Sequence, residues 1–139
     1  NLLNNPLNYK GYFDWFERIR GDLWSGYKQV IIGFSEGIWI GHLISQPHKS
    51  ISKFLELKNA RVREDFFGRY ILSFMFRQAE TIAKREGYLA TICDTRSDRK
   101  DICEFLLRNN YREIARIDLY KEGHEDIVFC KPLGNFKNF

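Results

Sequence analysis

Three histidines, three cysteines and one carboxylate set in an apolar run are the side chains best equipped for chemistry in this 139-residue sequence. His42 lies inside Ile38-Trp-Ile-Gly-His-Leu-Ile-Ser45, His48 follows Pro47, and His124 sits in the polar stretch Lys121-Glu-Gly-His-Glu125. They are too scattered to chelate an ion by spacing, so no metal site is expected and proton transfer is their remaining chemistry. His42 is a base candidate if it faces a cleft; a lone histidine in a strand otherwise packs or lines an edge. His124 reads as a solvated loop residue. Cys93, Cys103 and Cys130 are odd in number and lie 10 and 27 apart, which fits neither a disulfide framework nor a zinc knuckle. No histidine or aspartate is spaced to activate Cys103. Buried, reduced thiols are the expectation, and with them a cytoplasmic setting. Glu56, beside Phe54, Leu55 and Leu57, is the carboxylate: a charge on a central strand needs a function, a lysine such as Lys58, or solvent.

These residues must be held by a single small domain. A chain this long buries roughly two-thirds of its unfolded surface and needs no staple to keep a core. Apolar residues at 44%, aromatics at 16% and a formal charge of +4 exclude disorder and collagen, and imply a ring-rich core. No apolar run spans a bilayer and no signal peptide is visible, so no membrane partner is expected. Because residue 1 is Asn and not Met, residues preceding this numbering are also expected.

The pattern reads as a helical lead-in over residues 1–28, a core over 29–133 and a tail over 134–139. Gln29–Phe34 and Ile38–Ser45 form a hairpin about Ser35-Glu-Gly37. A third strand runs from about Ile51 to Val62. A helix follows from about Gly68 to Glu86, with Ile71, Met75, Ala79 and Ile82 on one face and Gly87 as its stop. Tyr88–Thr95 is a buried strand. Ser97 or Asp98 caps a second helix through Asn109, with Ile102, Phe105 and Leu106 as its stripe. Arg112–Tyr120 and Asp126–Leu133 close the sheet. Two β-α-β steps favour parallel pairing and the hairpins antiparallel pairing, so an α/β (α+β) fold with a mixed sheet is expected.

This element order, and the stretch Leu57-Lys-Asn-Ala-Arg-Val-Arg-Glu-Asp-Phe-Phe-Gly-Arg-Tyr-Ile-Leu-Ser-Phe-Met75, resembles the GCN5-related N-acetyltransferase (GNAT) superfamily. In that family a strand ending in Val leads through Arg-Gly-x-Gly-x-Gly/Ala into an amphipathic helix. Val62, Gly68, Ile71 and Met75 match. Glu104-Phe-Leu-Leu-Arg-Asn-Asn-Tyr111 falls where the family ends Leu-Tyr-x-x-x-Gly-Phe. The resemblance covers about three-quarters of the chain and implies a mostly antiparallel sheet flanked by helices, with the family's first strand absent, upstream or replaced. It also implies that acetyl-CoA is the co-substrate. Amides around Gly68, Arg69, Tyr70, Ile71, Leu72 and Ser73 would cradle the diphosphate at a helix N-terminus, the strand edge at Ala60 and Val62 would bond the pantetheine arm, and Arg61, Arg63 and Arg69 would neutralise phosphate. Glu56 lies near the position of a base in some members. In ideal alternation Glu56, Lys58, Ala60 and Val62 share a face, unless a bulge intervenes.

The sequence departs from the family at defined places. The family's Arg falls at Phe67, its later glycines at Tyr70 and Leu72, and its leaving-group tyrosine at Leu106, which has no proton to give. Tyr70, Tyr111 and Tyr120 are chemically able substitutes. The leading reading is an acetyl-CoA-dependent N-acetyltransferase whose acceptor is a primary amine on a small molecule or protein, with Glu56 and His42 as catalytic candidates. The alternative is a module that binds coenzyme A or acyl-CoA without turnover. Basic residues interleave with rings at Lys10-Gly-Tyr-Phe13 and Phe66-Phe-Gly-Arg-Tyr70, but the charge forms no stripe, so nucleic acid is not expected. A homodimer is left open.

Overall fold

The computed structural model describes residues 20–68 and 70–134. Residues 20–25 are helical, as the lead-in predicts; the rest of that lead-in, any strand within it, and Arg69 lie outside the described residues. The expected hairpin is β1 (Gln29–Ser35) paired antiparallel with β2 (Ile38–Pro47). Its two turn residues, Glu36 and Gly37, have φ of 50° and 77°, the left-handed pair that suits the twist of a tight hairpin.

Strand β3 (Phe54–Val62) starts later than the spacing predicts, because residues 48–53 form a turn instead. His48 Nδ1 accepts the amides of Ser50 and Ile51 at 3.1 and 2.9 Å, which rules out extended backbone there. Its pairing with β2 slips: Lys58 faces Ile44 and Arg61 faces His42, leaving Asn59 and Ala60 opposite Leu43. This is a β-bulge, with Asn59 at φ 53°. Gly41 lies beside it, where a Cβ would come within 2.7 Å of the Arg61 carbonyl oxygen and 3.3 Å of Met75 Cε. The bulge overturns the shared face of Glu56, Lys58, Ala60 and Val62. Leu55 and Leu57 pack into the core and so does Val62, whereas alternation turns Glu56 and Lys58 the other way.

Helix α1 (Ile71–Arg85) buries Met75, Phe76, Ala79 and Ala83. It begins after Gly68 because Gly68 and Tyr70 have φ of 75° and 61° and cannot continue a helix. At its end, Gly87 N–H donates to Lys84 O and Tyr88 N–H to Ala83 O, the paired bonds of a glycine stop. Strand β4 (Ala90–Arg96) leads into α2 (Lys100–Arg108). No side chain caps α2: its N-cap is Arg99, and Asp98 binds Arg96 at 2.7 Å instead. α2 ends in the same bond pattern as α1, with Asn110 at φ 68° in glycine's place.

Strands β5 (Arg112–Ile117) and β6 (Asp126–Pro132) complete a six-stranded sheet of order β1-β2-β3-β4-β6-β5. The first β-α-β step pairs β3 with β4 in parallel. The second does not pair its strands: β6 lies between β4 and β5, antiparallel to both. β5 stops at Ile117 because the Asp118 carboxylate accepts the amides of Glu122 and Gly123, folding the chain back. α1 and α2 cover one face together, and the core (Leu43, Leu55, Leu57, Cys93, Ile127, Phe129) lies beneath them.

Candidate active site

The sheet is not continuous along its length. β3 and β4 pair only at Phe54–Ala90, Leu55–Thr91 and Glu56–Ile92. Beyond Glu56 the two strands part, so the inner edge of Leu57–Val62 has no strand partner among the described residues. That free edge runs toward the start of α1. There the first helical bond is Phe74 N–H to Tyr70 O, 3.0 Å, which leaves the amides of Ile71, Leu72 and Ser73 without intrahelical acceptors. Tyr70, the N-cap, supplies no side-chain cap. A backbone edge and a positive helix end therefore border one wedge-shaped opening.

The sequence-predicted binding residues line this opening in different ways. Ile71 and Leu72 send their side chains into the core, so the Cβ at the family's third glycine position is directed inward. Ser73 Oγ donates to Asn109 Oδ1 at 3.2 Å, tying the helix start to the end of α2. Phe67 and Tyr70 are exposed rings, and Ala60 and Arg61 are exposed too. Arg63 pairs with Asp65 at 3.1 Å on the surface.

The face of the sheet opposite α1 carries a second group of polar residues at the point where β3 and β4 part. Glu56 Oε2 accepts from Gln46 Nε2 at 3.3 Å, and Glu56 Oε1 lies 3.6 Å from Lys58 Nζ. Asp94, two residues past the partner of Glu56, accepts the Tyr120 hydroxyl at 2.9 Å. Burial pushes the Asp94 carboxyl above the usual range, with Glu56 and Asp126 adding to the rise against the Tyr120 bond. Burial and Asp94 together push the Tyr120 hydroxyl up as well. Asp126 is only 2% exposed; its Oδ1 lies 3.5 Å from His124 Nδ1 and its Oδ2 has no partner.

His42 is 3% exposed and stacks on Trp39 with ring centroids 5.7 Å apart. Burial, and then the charge of Arg61, lower its pKa to about 4, so it is neutral at pH 7. Its Nδ1 has no hydrogen-bond partner, nor do Trp39 Nε1, Gln46 Oε1 or Asn59 Nδ2. Leu106 is buried in the core. Tyr111 is buried too, on the α1 face, its hydroxyl 2.9 Å from Thr91 Oγ1 and 3.2 Å from Glu80 Oε2. Among the described residues no three His, Cys, Asp or Glu side chains converge on a metal-sized site.

Asp94, Gln46, Asn59 and Asp126 were not singled out from sequence as catalytic candidates. Asp94 carried the signal that exposed Glu56, a carboxylate within the strand run Leu89-Ala-Thr-Ile-Cys-Asp-Thr95. Nothing in sequence brings Tyr120 across to Asp94, since α2, β5 and a turn separate them.

No family profile matches the sequence, and no curated protein does. Solved structures do. One, from Desulfovibrio desulfuricans and described as of the GNAT acetyltransferase family, gives a TM-score of 0.81 at 12% identity over 96% of this chain and 87% of that one. The ribosomal-protein-S18-alanine N-acetyltransferase of Escherichia coli gives 0.72 at 12% identity, over 88% and 81%. The PaiA N-acetyltransferase of Thermoplasma acidophilum, solved with coenzyme A, gives 0.70 at 16% identity, over 88% and 73%. On this likeness of overall architecture the chain carries the GCN5-related N-acetyltransferase fold.

Proposed function

We propose that this chain, read as one acetyltransferase-like domain, transfers the acetyl group of acetyl-CoA to a primary amine. The observation that carries the reading is the free edge of β3 leading from Glu56 to the open amides of α1. Ile71, Leu72 and Ser73 offer three N–H groups to a diphosphate, in a turn whose left-handed Gly68 presents bare backbone while Tyr70 keeps its Cβ and an exposed ring. Arg63, which shares its charge with Asp65, and Arg69, next to Gly68 in sequence, are the basic residues assigned to the diphosphate. The edge from Ala60 to Val62 offers strand-like bonds to the amide groups of a pantetheine arm. Asn59 Nδ2, a donor with no partner at the bulge, is suited to a carbonyl oxygen there. Acetyl-CoA supplies the activated acyl group as a thioester.

The chain's own residues handle the amine. It approaches from the face opposite α1, where Glu56 stands at the point of parting and takes the ammonium proton, directly or through a water. Gln46 and Lys58 hold the Glu56 carboxylate in place. Tyr120, on the same face as Asp94, is the hydroxyl available where Leu106 has none. A cytoplasmic setting is part of the reading and is supported by three free cysteines, Cys93 buried and the other two half-buried.

A second reading, coenzyme A binding without turnover, is favoured by one observation: the family's tyrosine position is a leucine sealed in the core. Thermal-shift titration with acetyl-CoA, coenzyme A and ATP tests both. A ligand at 100 times its Kd adds about 2.7 kcal/mol, a rise of several degrees in Tm for a domain of this size. Absence of a shift with either coenzyme removes both readings. Thioester loss in the presence of amines then separates transferase from binder.

A further inference from the structure

A buried lysine connects the lead-in to the candidate base. Lys28 stands one residue before Gln29, whose partner across the hairpin is Ser45, so it falls beside Gln46. Gln46 in turn pairs with Glu56 and donates to its carboxylate at 3.3 Å. Ile31 packs into the core, so alternation turns Val30, and Lys28 before it, to the face opposite α1. There Lys28 is only 9% exposed, an uncommon place for a lysine. Two contacts anchor it to the short helix at 20–25: its N–H donates to the Asp22 carbonyl at 3.1 Å, and its Nζ lies 3.6 Å from Asp22 Oδ2. Burial, and then the charge of Lys58, lower the Lys28 pKa, while Asp22 and Glu56 oppose the fall. Lys58 and Glu56 therefore both lie within its electrostatic reach.

Resting on the acetyltransferase reading, we propose that Lys28 is a positioning residue for proton transfer, the fixed cation that offsets Asp94 at Glu56, with Asp22 as the group that limits it. The charges around Glu56 come from every neighbouring element. On β3, Lys58 Nζ lies 3.6 Å from Glu56 Oε1. On β4, Asp94 stands two residues past the partner of Glu56, and the two carboxylates repel. Tyr120 and the Cys93 thiol also couple to Glu56, but burial pushes both up, so they are uncharged at neutral pH. From β2 comes the neutral amide of Gln46. Glu56 thus stands between two cations and one carboxylate. Lys58 is more exposed than Lys28, and an exposed charge is screened where a buried, anchored one is not. A cation near a base favours its ionised form, the form that takes a proton from an amine. Removing Lys28 and removing Asp22 must therefore act on Glu56 with opposite sign, which no packing role does.

The test follows the Glu56 carboxyl carbon by NMR as the pH is varied, its signal assigned by its loss in Glu56→Gln. Wild type, Lys28→Met, Lys28→Arg and Asp22→Asn are compared. Where a carboxylate titrates, a lysine is charged. Lys28→Met is expected to raise the Glu56 midpoint by about half a pH unit, and Asp22→Asn to lower it by about as much. That is the scale of a charge two strands, about 10 Å, away with water screening part of it. Lys28→Arg keeps the cation and should leave the midpoint in place. A midpoint unmoved by Lys28→Met and Asp22→Asn, or moved the same way by both, overturns the proposal. Should Lys28→Met fail to fold, Asp22→Asn, at a residue more than a third exposed, decides alone: an unmoved or raised midpoint overturns it. Failure of acetyl-CoA and coenzyme A to raise the wild-type Tm overturns the transferase reading, and with it any part for Lys28 in proton transfer, whatever the midpoints show.

Discussion

Two polar clusters flank the same sheet and are built on opposite terms. Under α1, Glu80 receives Lys131 at 2.6 Å and the Tyr111 hydroxyl at 3.2 Å, and Tyr111 also meets Thr91 at 2.9 Å. Lys131 further lies over the Tyr111 ring, 5.7 Å from its centroid. Every member is satisfied within the chain. On the far face, Gln46, Asp126, His42 and Trp39 each hold a buried polar atom with no partner. An unpaired buried polar atom costs about 1–3 kcal/mol, so a fold bearing several carries a cost that a bound partner or an ordered water offsets. Closed valences mark structure; open ones mark a site.

The sharpest way to break that comparison is Glu56→Gln. On the open face it removes a base, so turnover is expected to fall by about 10²–10⁴-fold, while stability changes by less than about 1 kcal/mol. Coenzyme binding, read by thermal shift, should persist because the open amides of α1 are untouched. Unchanged turnover clears Glu56 of the role.

His42 gives the next largest effect. An unfolded chain protonates it at its ordinary value of 6.5, the folded protein only at about 4. Between those values the unfolded state binds more protons, so stability rises with pH across the window and falls as pH drops through it. The full difference is about 3 kcal/mol, lost between pH 6.5 and 4 and absent above 7. The stability of wild type relative to His42→Leu, read from urea midpoints, should therefore fall by about 3 kcal/mol as the pH drops from 7 toward 4. Parallel curves would show that His42 does not titrate between these limits.

The closed cluster should behave in reverse. Glu80→Ala strands Lys131 and leaves Tyr111 with Thr91 alone, an expected loss of about 2–3 kcal/mol by urea denaturation at neutral pH. Turnover per folded molecule should hold within about twofold, because Glu80 lies on the α1 face, away from Glu56. A loss of turnover matching that of Glu56→Gln would erase the distinction between the faces.

What was legible in sequence follows the same division. Element order, the hairpin and the glycine stop of α1 depend on local pattern, and they appear where periodicity and turn chemistry place them. Boundaries moved where a side chain rewired the backbone, as His48 did before β3 and Asp118 did after β5. The bulge was hidden because it arises from Gly41 admitting the Arg61 carbonyl across two strands, a contact no linear pattern encodes. Site residues were legible singly, as Glu56 was. Their grouping was not, since Asp94, Tyr120 and Asp126 meet only after β6 inserts between β4 and β5.

The smallest effect concerns Tyr70, on the coenzyme side. It holds φ 61° and ψ 16°, a conformation disfavoured for a bulky aromatic residue and open to glycine, and its ring is 84% exposed. Little packing justifies that strain; its location at the α1 N-terminus does, since the left-handed turn aims the first amides outward. Tyr70→Gly relieves the strain but loosens the unfolded chain, two changes of about 1 kcal/mol that nearly cancel. Stability is therefore expected to stay within about 1 kcal/mol. Coenzyme A, reaching the backbone past no Cβ, should bind several-fold more tightly by calorimetry, at roughly the 1 kcal/mol scale. Weaker binding in the glycine variant would mean that the ring itself contacts the ligand. Tyr70 would then be a substitute the chain evolved for the missing glycines, and not a residue merely tolerated in their place.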